Sequence, residues 1–410
     1  VVVDHTAPIG AENMSLIMEP EGANENGFFH EDVEVQIHVK DLPEDGNCAS
    51  LMSVTDSIGR DGEDTMTDNV LFAFTKEQPT DEELAQAAEF QTVQVVKAQE
   101  NESNDAYIEV TAVDRAGNAK TSIQVLKIDI TKPEISIQFD NHEVENDHFY
   151  RRKRTAQIRV IERNFDQKAV DITVRKNGRP AQFMLSDWTD DGIEHYAEIA
   201  FTEDGSYSIE AVCTDLAGNV SNKIETETFT IDCTAPVLQM ELETEQKKVQ
   251  TEQQFFNTEV TALITVTEHN FREEDFVLNM VPKADVGRWS HDGDVHTMRI
   301  TFDGESAHDI DCRYTDLAGN SSESVKRSFT IDKTVPLIAI EGIVDGSANK
   351  GTILPVVTVL DLNMDAAGVR IDVLSGMGES VDTVIETTPV EDGSGVGYRF
   401  TLPDMTDKED

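Results

Sequence analysis

Apolar and polar residues alternate along many short stretches of this chain, and turn-forming residues separate the stretches. Ile135, Ile137 and Phe139 are spaced two residues apart, and so are Ile158 and Val160. A period of two places successive side chains on opposite faces of a strand, one of which is buried. The same pattern predicts further strands at 171–174, 196–201, 207–211 and 229–231, with no convincing helix between them.

Two sequence signatures recur at intervals of a domain length. Asp-x-Ala-Gly-Asn occurs at Asp114–Asn118, Asp215–Asn219 and Asp316–Asn320, each 101 residues after the one before. A second signature, Asp-x-Thr-x-Pro, begins at four aspartates: Asp4, Asp129, Asp232 and Asp332. A repeat of this length is a whole domain rather than a solenoid turn. About seven strands in roughly one hundred residues is typical of one sandwich, so we predict an all-β fold of tandem immunoglobulin-like β-sandwich domains in an extended array.

We predict four domains whose boundaries lie at the Asp-x-Thr-x-Pro linkers: 1–131, 132–234, 235–334 and 335–410. The first domain contains an insertion near 76–104, in which residues 80–89 are rich in Glu, Ala and Gln and compatible with a short helix. The fourth is predicted to be partial or truncated, without its last two strands, because it has no Asp-x-Ala-Gly-Asn. We therefore expect a piece of a longer array, whose export signal and anchor lie outside this sequence.

The charge balance argues against several classes of function. The chain has 80 acidic and 33 basic residues, which gives a formal net charge of -47. Nucleic acids and anionic membrane surfaces bind cationic proteins, so neither is expected as a partner. No apolar run could span a membrane, and no Gly-x-Ser-x-Gly, His-Glu-x-x-His or phosphate loop is present, so we expect neither membrane insertion nor an enzyme. Self-repulsion of the charges favours a monomer.

Cysteine is too rare and too irregularly spaced to predict a disulfide framework. The four cysteines are Cys48, Cys213, Cys233 and Cys312. Cys213 aligns with Tyr314 of the next repeat and Cys233 with Lys333, so neither position requires sulfur. We expect free thiols, and a single bridge remains an open alternative.

Acidic and amide residues are predicted to converge where successive domains join. In an immunoglobulin-like sandwich, the entering linker, the loop after the second strand and the loop between the last two strands lie at one pole. The first predicted site consists of Asp129, Glu162, Asn164 and Asp215, and the second of Asp232, Glu268, Asn270 and Asp316. The fourth repeat offers Asp332, Asp361 and Asn363, and the first offers Asp4, Asp41 and Asp114.

Two interpretations of these sites stay open. Converging carboxylates are costly unless they are neutralised, and Ca²⁺ takes roughly six to eight hard oxygen ligands in flexible geometry. Alternatively, Asp215 and Asn219 only cap a tight turn through side-chain to backbone hydrogen bonds, with Gly218 supplying a positive φ. Both can hold at once, because a turn-capping carboxylate can also face a metal ion.

Other recurring residues have simpler interpretations. His195 and His296 occupy matching positions, but one histidine per domain is a weak indication of a transition-metal site, so packed or solvated rings are expected. Trp188 and Trp289 suggest a sugar-stacking surface, yet their recurrence favours a packing role. The basic run 151–154 is interpreted as a solvated strand edge, or else as a contact for an anionic glycan or an acidic neighbouring domain.

Four features occur together in the second and third repeats. In the second, they are the aromatic pair Phe149-Tyr150, the acidic-x-Asn turn Glu162–Asn164, the Asp-x-Ala-Gly-Asn turn and the closing Phe-Thr-Ile-Asp-x-Thr-x-Pro linker. This combination resembles the bacterial immunoglobulin-like repeats of large surface and secreted proteins, over nearly the whole chain. The resemblance implies a bacterial cell-surface or secreted, extracellular location, and calcium ions that stiffen the domain junctions.

The resemblance leaves the task of the array open, because such repeats occur in several kinds of protein. We expect a non-catalytic extracellular stalk or spacer that presents a distal module, with neighbouring repeats of the same chain as its immediate partners. One alternative is an adhesion module that binds a host or plant glycan or protein. Another is an accessory part of a secreted carbohydrate-active enzyme.

Overall fold

The computed structural model describes residues 14–41, 50–60, 68–245, 247–248, 254–347, 350–374, 380, 385–392 and 395–402. Contacts divide the chain into two compact units, Val1–Cys233 and Thr234–Asp410. Strands dominate both units, and none of the described helices is long and apolar enough to cross a membrane. The predicted all-β fold class is therefore confirmed.

The described residues of the first sandwich of the first unit form eight strands and one helix. They are β1 (Met14–Glu21), β2 (Phe28–Phe29), β3 (Val33–Asp41), β4 (Leu51–Arg60), β5 (Asn69–Ala73), α1 (Asp81–Gln86), β6 (Glu89–Val96), β7 (Ser103–Asp114) and β8 (Ala119–Ile128). One sheet has the order β1-β3-β6 and the other β2-β8-β7-β4-β5. Alternate residues of β3 and β7, such as Val35 and Ile108, are buried between the sheets, as the period of two predicts.

The second sandwich of this unit follows the strands that the sequence predicted. They are β9 (Glu134–Phe139), β10 (Phe149–Tyr150), β11 (Arg154–Ile161), β12 (Val170–Lys176), β13 (Arg179–Pro180), β14 (Thr189–Asp191), β15 (Glu194–Phe201), β16 (Gly205–Cys213), β17 (Ile224–Glu225) and β18 (Phe229–Ile231), with a 3₁₀ helix at Gln167–Ala169. The sheets have the orders β14-β15-β11-β9 and β10-β18-β16-β12-β13, and β17 pairs with β16. Ile158, Ile199, Ile209 and Ile231 lie in the core.

The second unit begins with a sandwich of the same design. Its strands are β19 (Val237–Thr244), β20 (Lys247–Lys248), β21 (Phe255–Phe256), β22 (Val260–Thr267), β23 (Phe276–Val281), β24 (Asp285–Val286), β25 (Ser290–Asp292), β26 (Val295–Phe302), β27 (Ser306–Tyr314) and β28 (Val325–Ile331), with a 3₁₀ helix at Glu273–Asp275. The sheets have the orders β20-β19-β22-β26-β24, with β25 on β26, and β21-β28-β27-β23. Ile264, Ile300 and Tyr314 are buried in its core.

The remaining described strands form one sheet with the order β29-β30-β32-β31. They are β29 (Leu337–Glu341), β30 (Val356–Asp361), β31 (Glu386–Asp392) and β32 (Gly395–Thr401), and a 3₁₀ helix lies at Ala366–Gly368. Leu337, Ile338 and Ile340 of β29 are 57%, 63% and 57% exposed. Apolar side chains on both faces of β29 therefore lack cover from the described part of the chain. The four domain boundaries stay predictions.

The aromatic pairs of the repeats have a common structural role. Phe28–Phe29, Phe149–Tyr150 and Phe255–Phe256 each pair in parallel with the last strand of their own sandwich. The carbonyl of the second aromatic residue then accepts a hydrogen bond from the backbone of the linker aspartate, as Phe29 does from Asp129 at 2.9 Å. The pair thus fixes where each linker leaves its sandwich.

The predicted insertion in the first repeat is smaller than expected. The expected helix is present as α1, and Thr80 caps it in a capping box with Glu83. However, Glu89–Val96 is strand β6, which pairs with β3 and is buried at Val96. It takes the place that β15 takes beside β11 in the second repeat. The segment that departs from the repeat therefore ends before Glu89.

Arg154 contradicts the interpretation of the basic run 151–154 as a solvated edge. Its side chain is 5% exposed, and its guanidinium lies 3.9 Å from the ring centre of Phe139 and 3.8 Å from that of Tyr150. Its Nε donates to the carbonyl of Asn141 at 3.0 Å. The three basic residues before it are exposed, as predicted. Stacking on aromatic faces explains why one arginine of the run is inside the sandwich.

The cysteines in the described residues, Cys213, Cys233 and Cys312, are free thiols. Cys213 and Cys312 are buried in their sandwiches, and burial raises the pKa of each thiol to about 12. Cys48 lies outside the described residues. The buried thiols therefore behave as small core residues rather than as reactive groups.

Replacing Arg154 by Ala should lower the free energy of unfolding of the second sandwich by about 2–4 kcal/mol, because stacking and packing are both lost. Urea unfolding followed by Trp188 fluorescence in a Trp289→Phe background isolates this sandwich, since the chain has 2 tryptophans. The control, Arg152→Ala, removes a 75% exposed side chain and should change the value by less than about 0.5 kcal/mol. Equal effects of the two substitutions would refute the buried role.

Candidate metal centre

Three strand ends bring the predicted residues of the first site together in the first unit. Asp129 directly follows β8, Glu162 directly follows β11, and Asp215 lies just beyond β16. Their exposed fractions are 1%, 5% and 5%. One carboxylate oxygen of each residue lies within 4.8 Å of those of the other two. Three acidic groups are therefore buried at one point.

Asn164 ties two of these carboxylates to the turn after β11. Its backbone N–H donates to Glu162 Oε1 at 2.6 Å, and its side-chain amide donates to Asp129 Oδ2. Its carbonyl accepts from the backbone N–H of Leu216 at 3.0 Å. The acidic-x-Asn turn and the Asp-x-Ala-Gly-Asn turn are thus bonded to each other.

The turn-capping interpretation of Asp215 describes its hydrogen bonds correctly. Asp215 Oδ1 accepts from the backbone N–H of Asn219 at 2.8 Å, and Oδ2 accepts from the Asn219 side chain at 2.9 Å. Gly218 has a φ of 96°, as this turn requires. The same Asn219 amide also donates to the Asp129 carbonyl at 3.0 Å. Each carboxylate oxygen has a second lone pair, so capping leaves Asp215 able to bind a cation.

Burial and mutual repulsion disfavour the ionised carboxylates of the first site, so a positively charged partner would stabilise them. Burial raises the pKa of Glu162, and the charges of Asp129 and Asp215 raise it further. Burial and the charge of Asp215 likewise raise the pKa of Asp129, although the Asn164 amide and the Thr131 N–H oppose this. The pKa of the neighbouring Cys213 thiol, about 12, is raised by burial and then by Glu162 and Asp215. All three groups respond to concentrated negative charge.

The second predicted site stays a prediction, because it draws on both compact units. Asp232 is the last residue but one of the first unit, where its backbone N–H donates to the Tyr150 carbonyl at 3.0 Å. Glu268, Asn270 and Asp316 belong to the second unit and repeat local details of the first site. The Asn270 N–H donates to Glu268 Oε1 at 2.7 Å. Both side-chain oxygens of Asp316 accept from Asn320, at 2.8 and 2.9 Å.

In the other two repeats, the described residues show part of the arrangement. In the fourth, the Asn363 amide donates to Asp332 Oδ2 at 2.6 Å and its N–H to Asp361 Oδ1 at 2.8 Å, as Asn164 does in the second. These residues line an open cavity of about 710 Å³. In the first, Asp114 is 7% exposed and bonded to Asn118, whereas Asp4 lies outside the described residues.

Sequence reasoning missed the asparagines that the first repeat contributes. Asn104 of β7 donates to Asn164 Oδ1 at 2.8 Å. Asn24 and Asn26, in the turn before β2, donate to the Leu216 carbonyl at 2.8 and 3.0 Å. None of the three belongs to a recurring signature, so no pattern in the sequence pointed to them. Together they join the first sandwich to both turns of the second.

The recurring aromatic and histidine residues have the packing roles that the sequence favoured. Trp188 makes an edge contact with Phe165 at 4.9 Å, and Trp289 does the same with Phe271. His195 is 8% exposed, stacks on Phe165 at 4.1 Å, and its Nε2 lies 2.7 Å from the Glu162 carbonyl. His195 thereby holds the backbone of a site residue in place.

The donor set of the first site suits a hard divalent cation. It offers one oxygen from each of three carboxylates, and the Asn164 amide nitrogen donates to one of them. Calcium and magnesium both prefer oxygen ligands. Calcium in particular accepts clustered carboxylates in variable geometry. The residues therefore fit calcium.

Comparisons with known proteins found similarity only to solved structures, and only in the fold. No protein-family model and no curated protein matches the chain. It is similar to an ICAM-5 D1-D4 ectodomain fragment, with a TM-score of 0.37 and 14% identity over 78% of this chain and 76% of that one. It is also similar to invasin, a bacterial integrin-binding protein, with a TM-score of 0.35 and 11% identity over 85% and 76% of the two chains. The chain is also similar to the Escherichia coli adhesin FdeC, with a TM-score of 0.26 and 16% identity over 65% of this chain and 88% of that one. At these scores the likeness carries no argument about function.

In EDTA, Glu162→Gln should stabilise the second sandwich relative to the wild type, increasingly as the pH rises above about 4. The folded pKa of Glu162 is raised, so the folded state binds more protons in that window and the wild type loses stability as the pH rises. Urea unfolding followed by Trp188 fluorescence across the pH range measures the difference.

Glu203→Gln is the control of opposite sign. A hydrogen bond from Lys176 lowers the pKa of Glu203, so that this carboxylate adds stability above its unfolded pKa, which is lost as the pH falls. The variant should therefore be less stable than the wild type near neutrality. If Glu162→Gln also lowered the stability near neutrality, the pKa of Glu162 would not be raised by burial and like charges.

Proposed function

We propose that the chain is a non-catalytic, extracellular spacer of a bacterial surface or secreted protein, and that calcium stiffens the junction between its first and second repeats. The observation that carries the proposal is the buried group of Asp129, Glu162 and Asp215 at that junction. Like charges at this separation in a poorly solvated place are unfavourable unless a proton or a cation compensates them. Arg163, which lowers the pKa of Asp129 and Glu162, is exposed and is the smallest of the named influences on each.

Calcium would act on the junction because its ligands come from both sides of it. Asp129 lies in the linker after β8, whereas Glu162 and Asp215 belong to two turns of the following sandwich. A cation held by all three would fix the linker against both turns. The contacts of Asn24, Asn26 and Asn104 with those turns already restrict the same movement.

A pair of asparagine amides could complete the set of oxygen ligands. Asn104 Oδ1 is buried and has no hydrogen-bond partner, while its amide nitrogen donates to Asn164 Oδ1. Rotation of both amides by half a turn would let Asn164 donate to the orphaned Asn104 oxygen. Asn164 Oδ1 would then face the carboxylates and act as a fourth ligand. The rearrangement gives Asn104 Oδ1 a donor but removes the donors of Asn164 Oδ1 and Asp129 Oδ2, so it is favourable only when a cation binds those two oxygens.

A mechanical role fits the remaining features of the chain. The residues of the candidate site include no nucleophile and base in a catalytic arrangement, and the acidic surface suits a soluble, self-repelling protein. A proline lies four residues after the linker aspartates Asp129, Asp232 and Asp332, at Pro133, Pro236 and Pro336. Each proline fixes φ and limits hinge motion. A distal module of the parent protein would perform the recognition or the chemistry.

Calcium should raise the stability of the second sandwich, by about 2.7 kcal/mol when its concentration is a hundredfold above Kd, and calorimetry should detect binding. Glu162→Gln should weaken this binding at least about tenfold, because one charged ligand is lost. Glu198→Gln, which neutralises an exposed carboxylate of the same sandwich, is the matched control and should bind like the wild type. Absence of heat together with unchanged melting would leave only the turn-capping role.

Small-angle X-ray scattering of the full chain tests stiffening separately from binding. Calcium should narrow the distribution of particle dimensions relative to EGTA, and Glu162→Gln should reduce that response. A glycan array tests the adhesion alternative. Strong binding by the calcium-treated chain, lost on Arg152→Ala, would overturn the spacer proposal, since Arg152 is exposed and outside the junction.

A further inference from the structure

Two histidines of the third repeat face each other across a hairpin of the second unit. His291 of β25 lies directly opposite His296 of β26, and Gly293, with a φ of 58°, occupies the turn between them. Their Nδ1 atoms are 2.8 Å apart. Directly opposed residues of an antiparallel pair have close Cβ atoms, so the register itself brings the two rings together.

The outer nitrogens of both rings face oxygen acceptors. His296 Nε2 lies 2.8 Å from the Glu268 carbonyl, which can only accept, so that nitrogen carries the proton. His291 Nε2 lies 3.6 Å from the Glu273 carboxylate, beyond direct hydrogen-bond distance, and the negative charge there favours the tautomer with its proton on Nε2. A neutral ring with Nε2 protonated has a lone pair on Nδ1. Both lone pairs are then directed at the same point.

This arrangement is characteristic of histidines that bind a metal. A ligating imidazole generally donates its other N–H to a carboxylate or a backbone carbonyl, which fixes the tautomer and the orientation of the ring. His296 is further held by stacking on Phe271, with ring centres 4.1 Å apart. Two lone pairs at 2.8 Å repel each other unless a proton or a metal cation lies between them.

The matching hairpin of the second repeat pairs its histidine with a carboxylate instead of a second imidazole. There Asp190 lies opposite His195, and Asp190 Oδ1 is 2.6 Å from His195 Nδ1. His195 Nε2 faces the Glu162 carbonyl at 2.7 Å, as His296 faces that of Glu268. The two hairpins therefore differ chiefly in one partner, a carboxylate that accepts in one and an imidazole in the other.

We propose that His291 and His296 form a binding site for a divalent transition-metal ion such as Zn²⁺, with water at the remaining positions. Zinc binds imidazole nitrogen at about 2.0–2.1 Å, which places two tetrahedral nitrogen ligands about 3.3 Å apart. The His291 side chain is 48% exposed, so it can move outward by this small amount and leaves the ion open to solvent. The site is independent of the calcium proposal, because its nitrogen ligands suit softer ions than the carboxylates do.

Calorimetric titration of the full chain with ZnCl₂ tests the site, in a large excess of CaCl₂ so that carboxylates do not compete. All chains would carry Cys48→Ser and Cys233→Ser, so that neither of these thiols competes. His291→Ala, which leaves a single imidazole, should weaken the tightest zinc site by about tenfold or more, because one of two nitrogen ligands is lost. Without zinc, the melting temperature of this variant should equal that of the chain with the two serine substitutions alone. Equal melting temperatures exclude a folding defect.

The reciprocal variant adds a site instead of removing one. Asp190→His should create a second imidazole pair, so that the number of tight zinc ions rises by one. Cobalt offers a second readout, because nitrogen ligation in a tetrahedral site gives visible absorption that His291→Ala should abolish. Unchanged zinc affinity in His291→Ala, or no added ion in Asp190→His, would overturn the proposal.

Discussion

The burial of like charges where the first repeat joins the second is the constraint on which the rest of this junction depends. Asp129, Glu162 and Asp215 are each at most 5% exposed, and one oxygen of each lies within 4.8 Å of the others. Such a group persists only where hydrogen-bond donors, together with a bound proton or a cation, offset the repulsion. Asn164 and Asn219 supply donors, and a cation would supply the charge.

The repeats place different charged and polar side chains on the same local backbone arrangement. The acidic-x-Asn turn recurs in the fourth repeat, where Asn363 bonds to Asp332 much as Asn164 bonds to Asp129, but in a more exposed setting. The hairpin behind the turn differs as well, since His195 faces Asp190 whereas His296 faces His291. The backbone pattern stays the same in each case. Single side chains therefore decide which charged and polar groups meet in each copy.

Much of the candidate site could be predicted because the topology of the sandwich is strongly constrained. Glu162 and Asp215 are far apart in sequence, yet each follows a strand that must end at the same pole, so their approach follows from strand order. Asn104 could not be found this way. It lies within a strand of the preceding repeat and reaches Asn164 only because of how the two sandwiches of the first unit meet.

The sequence by itself determined the strands, the recurrence of the repeats and the residues of the first site, because alternation and periodic signatures are local properties of the chain. The tertiary structure decided which side chains became buried partners. Arg154 belongs to a basic run, yet it is enclosed by Phe139 and Tyr150, and His291 meets His296 only through the strand register. Such contacts depend on the packing of faces that are distant or opposed, and no local pattern specifies them.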